Sequence, residues 1–75
     1  MTAIPPYRVA LVGCGRAGLP RGRAFDMHPQ CRVVALADTD VENLEFTRAA
    51  FDAPGYDTYE ELFANEQIDI AAAVL

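Results

Sequence analysis

Seventy-five residues, 52% of them hydrophobic, allow one small globular domain and exclude an intrinsically disordered chain. The formal net charge of −5, with arginine as the sole basic residue besides one histidine, argues against a nucleic-acid or anionic-membrane surface. The longest apolar run, Ile70 to Leu75, is strand-sized, and no basic segment followed by an apolar one opens the chain. Neither a membrane span nor a secretory leader is therefore expected.

Met1 to Pro6 reads as a disordered lead, because Pro5-Pro6 blocks regular structure. Arg8 to Val12 is the first strand, apolar after Arg8 as a strand buried on both faces should be. Gly13-Cys14-Gly15-Arg16-Ala17-Gly18 follows at once, and a helix over about 17–27 comes next. By composition that helix is poor, with Gly18, Pro20 and Gly22 in its first half. Pro20 is tolerable there only where backbone amides have no helical partner. His28-Pro29 stops it, so His28 reads as a turn residue far from any crevice rather than a base.

Cys31 to Ala37 is a second solid apolar strand, closed by Asp38. Thr39-Asp40-Val41-Glu42 has the spacing of a capping box with Thr39 as the cap, opening a helix whose inner face would carry Val41, Leu44, Ala50 and Phe51. Asp52-Ala53-Pro54-Gly55 breaks it, leaving room for a very short third strand at Tyr56-Asp57. A second capping box, Thr58 to Glu61, starts a short helix that should bury Leu62 and Phe63 and leave at Asn65. Ile68 to Leu75 is the fourth strand. The order βαβαβαβ predicts an α/β, Rossmann-like parallel sheet of about four strands with right-handed crossovers, incomplete as it stands. A buried-type strand at the end, where crevice-forming loops should follow, is expected of the front of a longer protein.

The chemistry lies in the first βαβ unit. G-x-G-x-x-G directly behind a strand, with an acid at the end of the next strand 20 residues after Gly18, is the pattern of a dinucleotide-binding fold. Gly13 permits the tight turn, Gly15 leaves space for a pyrophosphate, and Gly18 allows close helix packing. The anion would meet unpaired amides around Arg16 and Ala17, reinforced by the helix dipole. Asp38 can accept both hydroxyls of the adenosine ribose and repels a 2′-phosphate, which favours NAD over NADP. The candidate cofactor-binding residues are thus Gly13, Cys14, Gly15, Arg16, Ala17, Gly18, Asp38 and Thr39. Arg21 and Arg23 read as exposed, and Cys14 as a small packing residue. Neither Cys14 nor Cys31 has metal-ligand spacing, and reduced thiols suit a cytoplasmic protein. Asp38/Asp40 and Glu60/Glu61 are explained by ribose binding and capping, so no metal site is assigned.

Residues 8–18, His28-Pro29, Val34 to Asp38, Tyr56 to Leu62 and Ile68 to Leu75 resemble together the start of the Gfo/Idh/MocA oxidoreductases. The tyrosine-rich segment before Glu60-Glu61-Leu62, followed by Ile68-Asp69, narrows the likeness to this family. The resemblance implies an N-terminal dinucleotide-binding portion over 7–75, with a separate substrate domain absent from the chain. It also implies hydride transfer between a nicotinamide and a sugar, cyclitol or related polyol, and a homo-oligomeric full-length protein. In the family a lysine of a Glu-Lys-Pro motif acts near the substrate. This chain has no lysine, so no catalytic residue is assigned in it and the chain alone is expected to be inactive. Two other readings stand beside this one: a non-catalytic NAD(H)-binding module and a fragment of an S-adenosylmethionine-dependent methyltransferase.

Overall fold

The structure, a computed structural model, describes residues 7–73, with the side chains of residues 16 and 17 outside the description. The predicted lead at 1–6 and the last two residues of the expected fourth strand lie outside the described residues. In chain order the elements are β1 (Tyr7–Val12), α1 (Gly15–Asp26), β2 (Cys31–Ala37), α2 (Val41–Phe51), β3 (Gly55–Tyr56), α3 (Tyr59–Asn65) and β4 (Ile70–Ala73). All pairings are parallel and the sheet order is β3-β2-β1-β4. The chain therefore steps outward from β1 to β3 and crosses back to β4. That reversal beside β1 is where open α/β sheets hold their ligands, outside the carboxyl ends of the strands.

Alternation along the strands divides the core into two clusters. Val9, Leu11, Cys14, Val33, Leu36, Leu44 and Ala53 form one, with Phe25 and Phe51 packed against it from α1 and α2. Ala10, Ala35, Ala37 and Leu62 form the other, joined by Val34, Tyr56 and Ile68. A register shift sets Val9 opposite Val33 but Ala10 opposite Ala35, leaving Val34 as an extra residue in β2. Beside it, the Val33 amide donates to Asp26 Oδ1 at 2.8 Å, so a side chain from the end of α1 supplies an acceptor at the irregularity.

Several sequence expectations are corrected here. Helix α1 begins at Gly15 rather than near Ala17, because the second half of the glycine motif is itself the first helical turn. Pro20 is consequently the sixth residue of α1, past the turn whose amides are unpartnered, and leaves the carbonyl of Arg16 without its usual helical donor. The cap of α2 is Asp40, not Thr39: Asp40 Oδ1 accepts from the Glu42 amide at 2.9 Å and the Asn43 amide at 3.2 Å. The inner stripe of α2 is Leu44, Thr47 and Phe51, whereas Val41 is 63% exposed and Ala50 also faces outward. Thr58 does cap α3, accepting from the Glu61 amide at 3.2 Å, and Leu62 is buried. Phe63, however, is 45% exposed and meets Tyr59 edge-on at the surface. Strand β4 starts two residues later than expected, and its residues alternate between half-buried and exposed rather than reading as buried on both faces. In the described residues it has one strand neighbour, so its second edge carries no ladder.

At the amino ends of the strands, side chains bind the layers together. The Arg8 guanidinium donates through Nε to the Gln67 carbonyl at 2.6 Å and through Nη2 to Glu66 Oε1 at 3.2 Å. The Arg8 amide donates to Asp69 Oδ2 and its carbonyl accepts from the Asp69 amide, both at 2.8 Å. Glu66 Oε2 accepts from the Tyr56 hydroxyl at 2.6 Å, and that hydrogen bond to a carboxylate raises the hydroxyl above its ordinary value.

Candidate functional site

At the opposite end of the sheet, β1 turns into α1 through two left-handed glycines. Gly13 has φ +79° and Gly15 has φ +48°, a region that side-chain-bearing residues rarely occupy. The Gly13 amide donates to the Ala37 carbonyl at 2.8 Å, which seats the turn on the end of β2. Between the glycines, Cys14 is the N-cap of α1 and is wholly buried. Its sulfur lies 3.8 Å from the Ala37 carbonyl and faces Thr47, whose buried hydroxyl has no oxygen or nitrogen partner among the described residues. Burial first, and the charge of Asp38 second, push the thiol up, which favours its neutral form.

Asp38 stands across this turn at the end of β2. Its Oδ2 accepts from the Cys14 amide at 2.8 Å and, more weakly, from the Gly15 amide at 3.4 Å. Its Oδ1 accepts from the Asp40 amide at 2.9 Å. The structure thus brings Gly13, Cys14, Gly15 and Asp38 into one constellation, with Cys14 taking part through its backbone only. Thr39 is exposed and lines the adjoining cleft. Gly18 is buried one turn into α1, where a Cβ would meet the Cys14 Cβ at 3.3 Å, so it packs the loop from behind rather than facing a ligand. The candidate contacts of the Arg16 and Ala17 side chains lie outside the described residues.

Sequence reasoning missed two things. The first is Gly22, where a Cβ would overlap Phe51 Cζ and stand 2.8 Å from Leu11 Cδ1. The close approach of α1 to its neighbours therefore runs through Gly22, a glycine that composition alone marks only as a helix-weakening residue. The second is the far wall of the cleft. A cavity of about 230 Å³ lies between Gly13, Asp38 and Thr39 on one side and Asp57, Thr58 and Tyr59 on the other. Sites that enclose a whole drug-sized ligand run to about 300–1,000 Å³, so this one suits part of an extended molecule. The turn from a strand end into a helix start at Asp57-Thr58 was the available signal, since such turns gather at the ligand end of parallel sheets.

A diphosphate fits this geometry. A Cβ at Gly15 would meet nothing within 4 Å, so the space above the turn is open to an approaching group. The amides of the first turn of α1 have no intrahelical acceptor and carry the positive end of the helix dipole.

Residues 7–75 match the family model described as the oxidoreductase family GFO_IDH_MocA, NAD-binding Rossmann fold. The chain belongs to this family. Among solved structures it is similar to myo-inositol 2-dehydrogenase from Lactobacillus plantarum, with 26% identity and a TM-score of 0.81 over 93% of this chain and 21% of that one. The WlbA dehydrogenase from Bordetella pertussis, described in complex with NADH and UDP-GlcNAcA, gives 27% identity and a TM-score of 0.87 over 93% and 22%. A myo-inositol dehydrogenase from Corynebacterium glutamicum gives 27% and 0.83 over 93% and 21%. The chain spans roughly a fifth of the length of each of these relatives. No curated protein matches it. No described helix is long and apolar enough to cross a membrane.

Proposed function

We propose that this chain is the cofactor-binding portion of an NAD-dependent oxidoreductase acting by hydride transfer on a sugar, cyclitol or related polyol. The observation that carries the reading is the Asp38 carboxylate set against the open glycine turn, within a chain of the NAD-binding Rossmann oxidoreductase family. The bound nicotinamide supplies the hydride chemistry; the protein supplies binding and orientation. Amides at the start of α1 hold the diphosphate, Gly15 leaves room for it, and Asp38 receives the adenosine ribose with Thr39 beside it. The cleft toward Tyr59 takes the outer part of the adenosine.

Substrate choice rests on the relatives, two of them inositol dehydrogenases and one described with a nucleotide sugar. The lysine that the family resemblance places near the substrate has no counterpart in this chain, so its residues are assigned cofactor binding and no catalytic role. A cytoplasmic location is consistent with the two free cysteines, and homo-oligomerisation rests on the family resemblance alone.

The test is a fluorescence titration with NADH, NADPH and S-adenosylmethionine. NADH should bind at least about tenfold more tightly than NADPH, because a 2′-phosphate would be brought against the Asp38 charge. S-adenosylmethionine should give no response. Tighter binding of NADPH would reverse the assigned selectivity, and silence toward both nucleotides would remove the reading altogether.

A further inference from the structure

We propose that Asp38 is a positioning residue for the glycine turn itself, in addition to being the ribose acceptor. The inference rests on the cofactor reading above and deepens it. Its basis is a division of labour among the amides at this corner. The Cys14 amide donates to Asp38 Oδ2 at 2.8 Å and the Gly15 amide approaches the same oxygen at 3.4 Å. The other oxygen accepts from the Asp40 amide at 2.9 Å, at the cap of α2. One carboxylate therefore joins the start of α1, the end of β2 and the start of α2.

The remaining restraints on the turn are few. Gly13 and Gly15 have left-handed dihedrals and the widest conformational freedom of any residue, so the loop loses much entropy when it is ordered. Beneath it, Cys14 contributes a long thiol contact to the Ala37 carbonyl and packing against Gly18 and Thr47. Among the described residues, Asp38 supplies the side-chain acceptor for the turn's amides. With the Cys14 amide, and more weakly the Gly15 amide, turned to Asp38, the diphosphate would be met by the amides that follow in the first turn of α1. Removing the carboxylate would cost ribose bonds and would also release the amides that aim the turn.

The direct way to admit a 2′-phosphate is to delete the charge at position 38. Here that change loosens the phosphate turn as well, so D38A should lose NADH without gaining strong NADPH binding. Asparagine keeps one acceptor for the Cys14 amide but presents an NH2 group to one of the other amides, and should retain part of the order.

The experiment compares NADH with an analogue whose adenosine ribose lacks both hydroxyls, using the wild-type chain, D38A and D38N, each checked for folding by circular dichroism. If Asp38 only binds ribose, D38A leaves affinity for the analogue unchanged. If it positions the turn, D38A weakens the analogue by about tenfold, the scale of a lost hydrogen bond to a charged group, and D38N recovers part of that loss. Amide hydrogen exchange without ligand gives a second readout: the Cys14 amide should be protected in the wild type and exposed in D38A. An unaltered analogue affinity together with unaltered Cys14 protection overturns the inference. Absence of NADH binding by the wild type overturns the underlying cofactor reading instead.

Discussion

The two faces of the sheet are filled in different ways. One is covered by α1 and α2 and packed with Val9, Leu11, Val33, Leu36 and Leu44, with two phenylalanine rings against them. The other is lined by Ala10, Ala35 and Ala37 and covered by the short α3, which contributes one fully buried large side chain, Leu62. A thick face tolerates an imperfect helix, because apolar area rather than intrinsic propensity fixes α1 in place. Gly22 belongs to that solution: dropping a side chain from α1 lets Phe51 and Leu11 close over the backbone. The thin face has no such reserve. Its alanines keep α3 close to the sheet, but a single leucine then anchors the helix that walls the far side of the cleft.

The strongest way to break the comparison is Leu62→Ala. Truncating a fully buried leucine costs about 2–5 kcal/mol. A 75-residue domain has a total stability of roughly 4–11 kcal/mol, so about half of the fold's margin is at stake. Chemical denaturation should show a loss at the upper end of that range, since the surrounding alanines have no side-chain length with which to fill the cavity. A loss below about 1 kcal/mol would mean that the second face is not held as described.

Gly22→Ala sharpens the other half of the comparison. Alanine is the better helix former by about 1 kcal/mol, so propensity alone expects stabilisation. The added methyl would overlap Phe51 and Leu11, and overpacking costs about 1–3 kcal/mol, so a net loss of about 1 kcal/mol is expected. Adding Phe51→Leu should relieve the overlap, making the double variant more stable than the sum of the two single changes allows. Stabilisation by Gly22→Ala alone would show that Phe51 swings aside freely and that the glycine is not required.

The chain order of elements, the parallel sheet and the pairing of glycine turn with Asp38 were legible in the sequence, because each rests on local signals. Apolar runs mark β1 and β2, glycines mark positive φ, and an acid closes the second run. What was not legible depends on which neighbour an element meets. Val41 and Phe63 have the periodicity of buried residues, yet stand exposed because their helices turn Leu44 and Leu62 to the sheet. Thr47 is polar by type and still wholly buried, because its position on α2 sets it against Cys14. The contribution of Gly22 needs the coordinates of Phe51, 29 residues away, and no local pattern carries that information. The same holds for the Asp38 bonds to the loop amides, since spacing places the acid at the right strand end without orienting its oxygens.

The smallest expected effect separates two adjacent residues. Thr39 and Asp40 both have side-chain oxygens suited to capping, and the spacing of Thr39 to Glu42 fits a capping box. In the structure Asp40 has extended backbone dihedrals, and its carboxylate accepts from the Glu42 and Asn43 amides, two of the four that α2 cannot satisfy internally. Its negative charge also lies at the positive end of the helix dipole. Asp40→Ala should therefore destabilise the chain by about 1 kcal/mol, while Thr39→Ala, at an exposed position, should change stability by less than about 0.5 kcal/mol. The order of the two losses in urea denaturation decides between the caps, and a larger loss at Thr39 would move the start of α2 back by one residue. Because the Asp40 amide also donates to Asp38, the comparison must be made on stability without cofactor, where ribose binding does not enter.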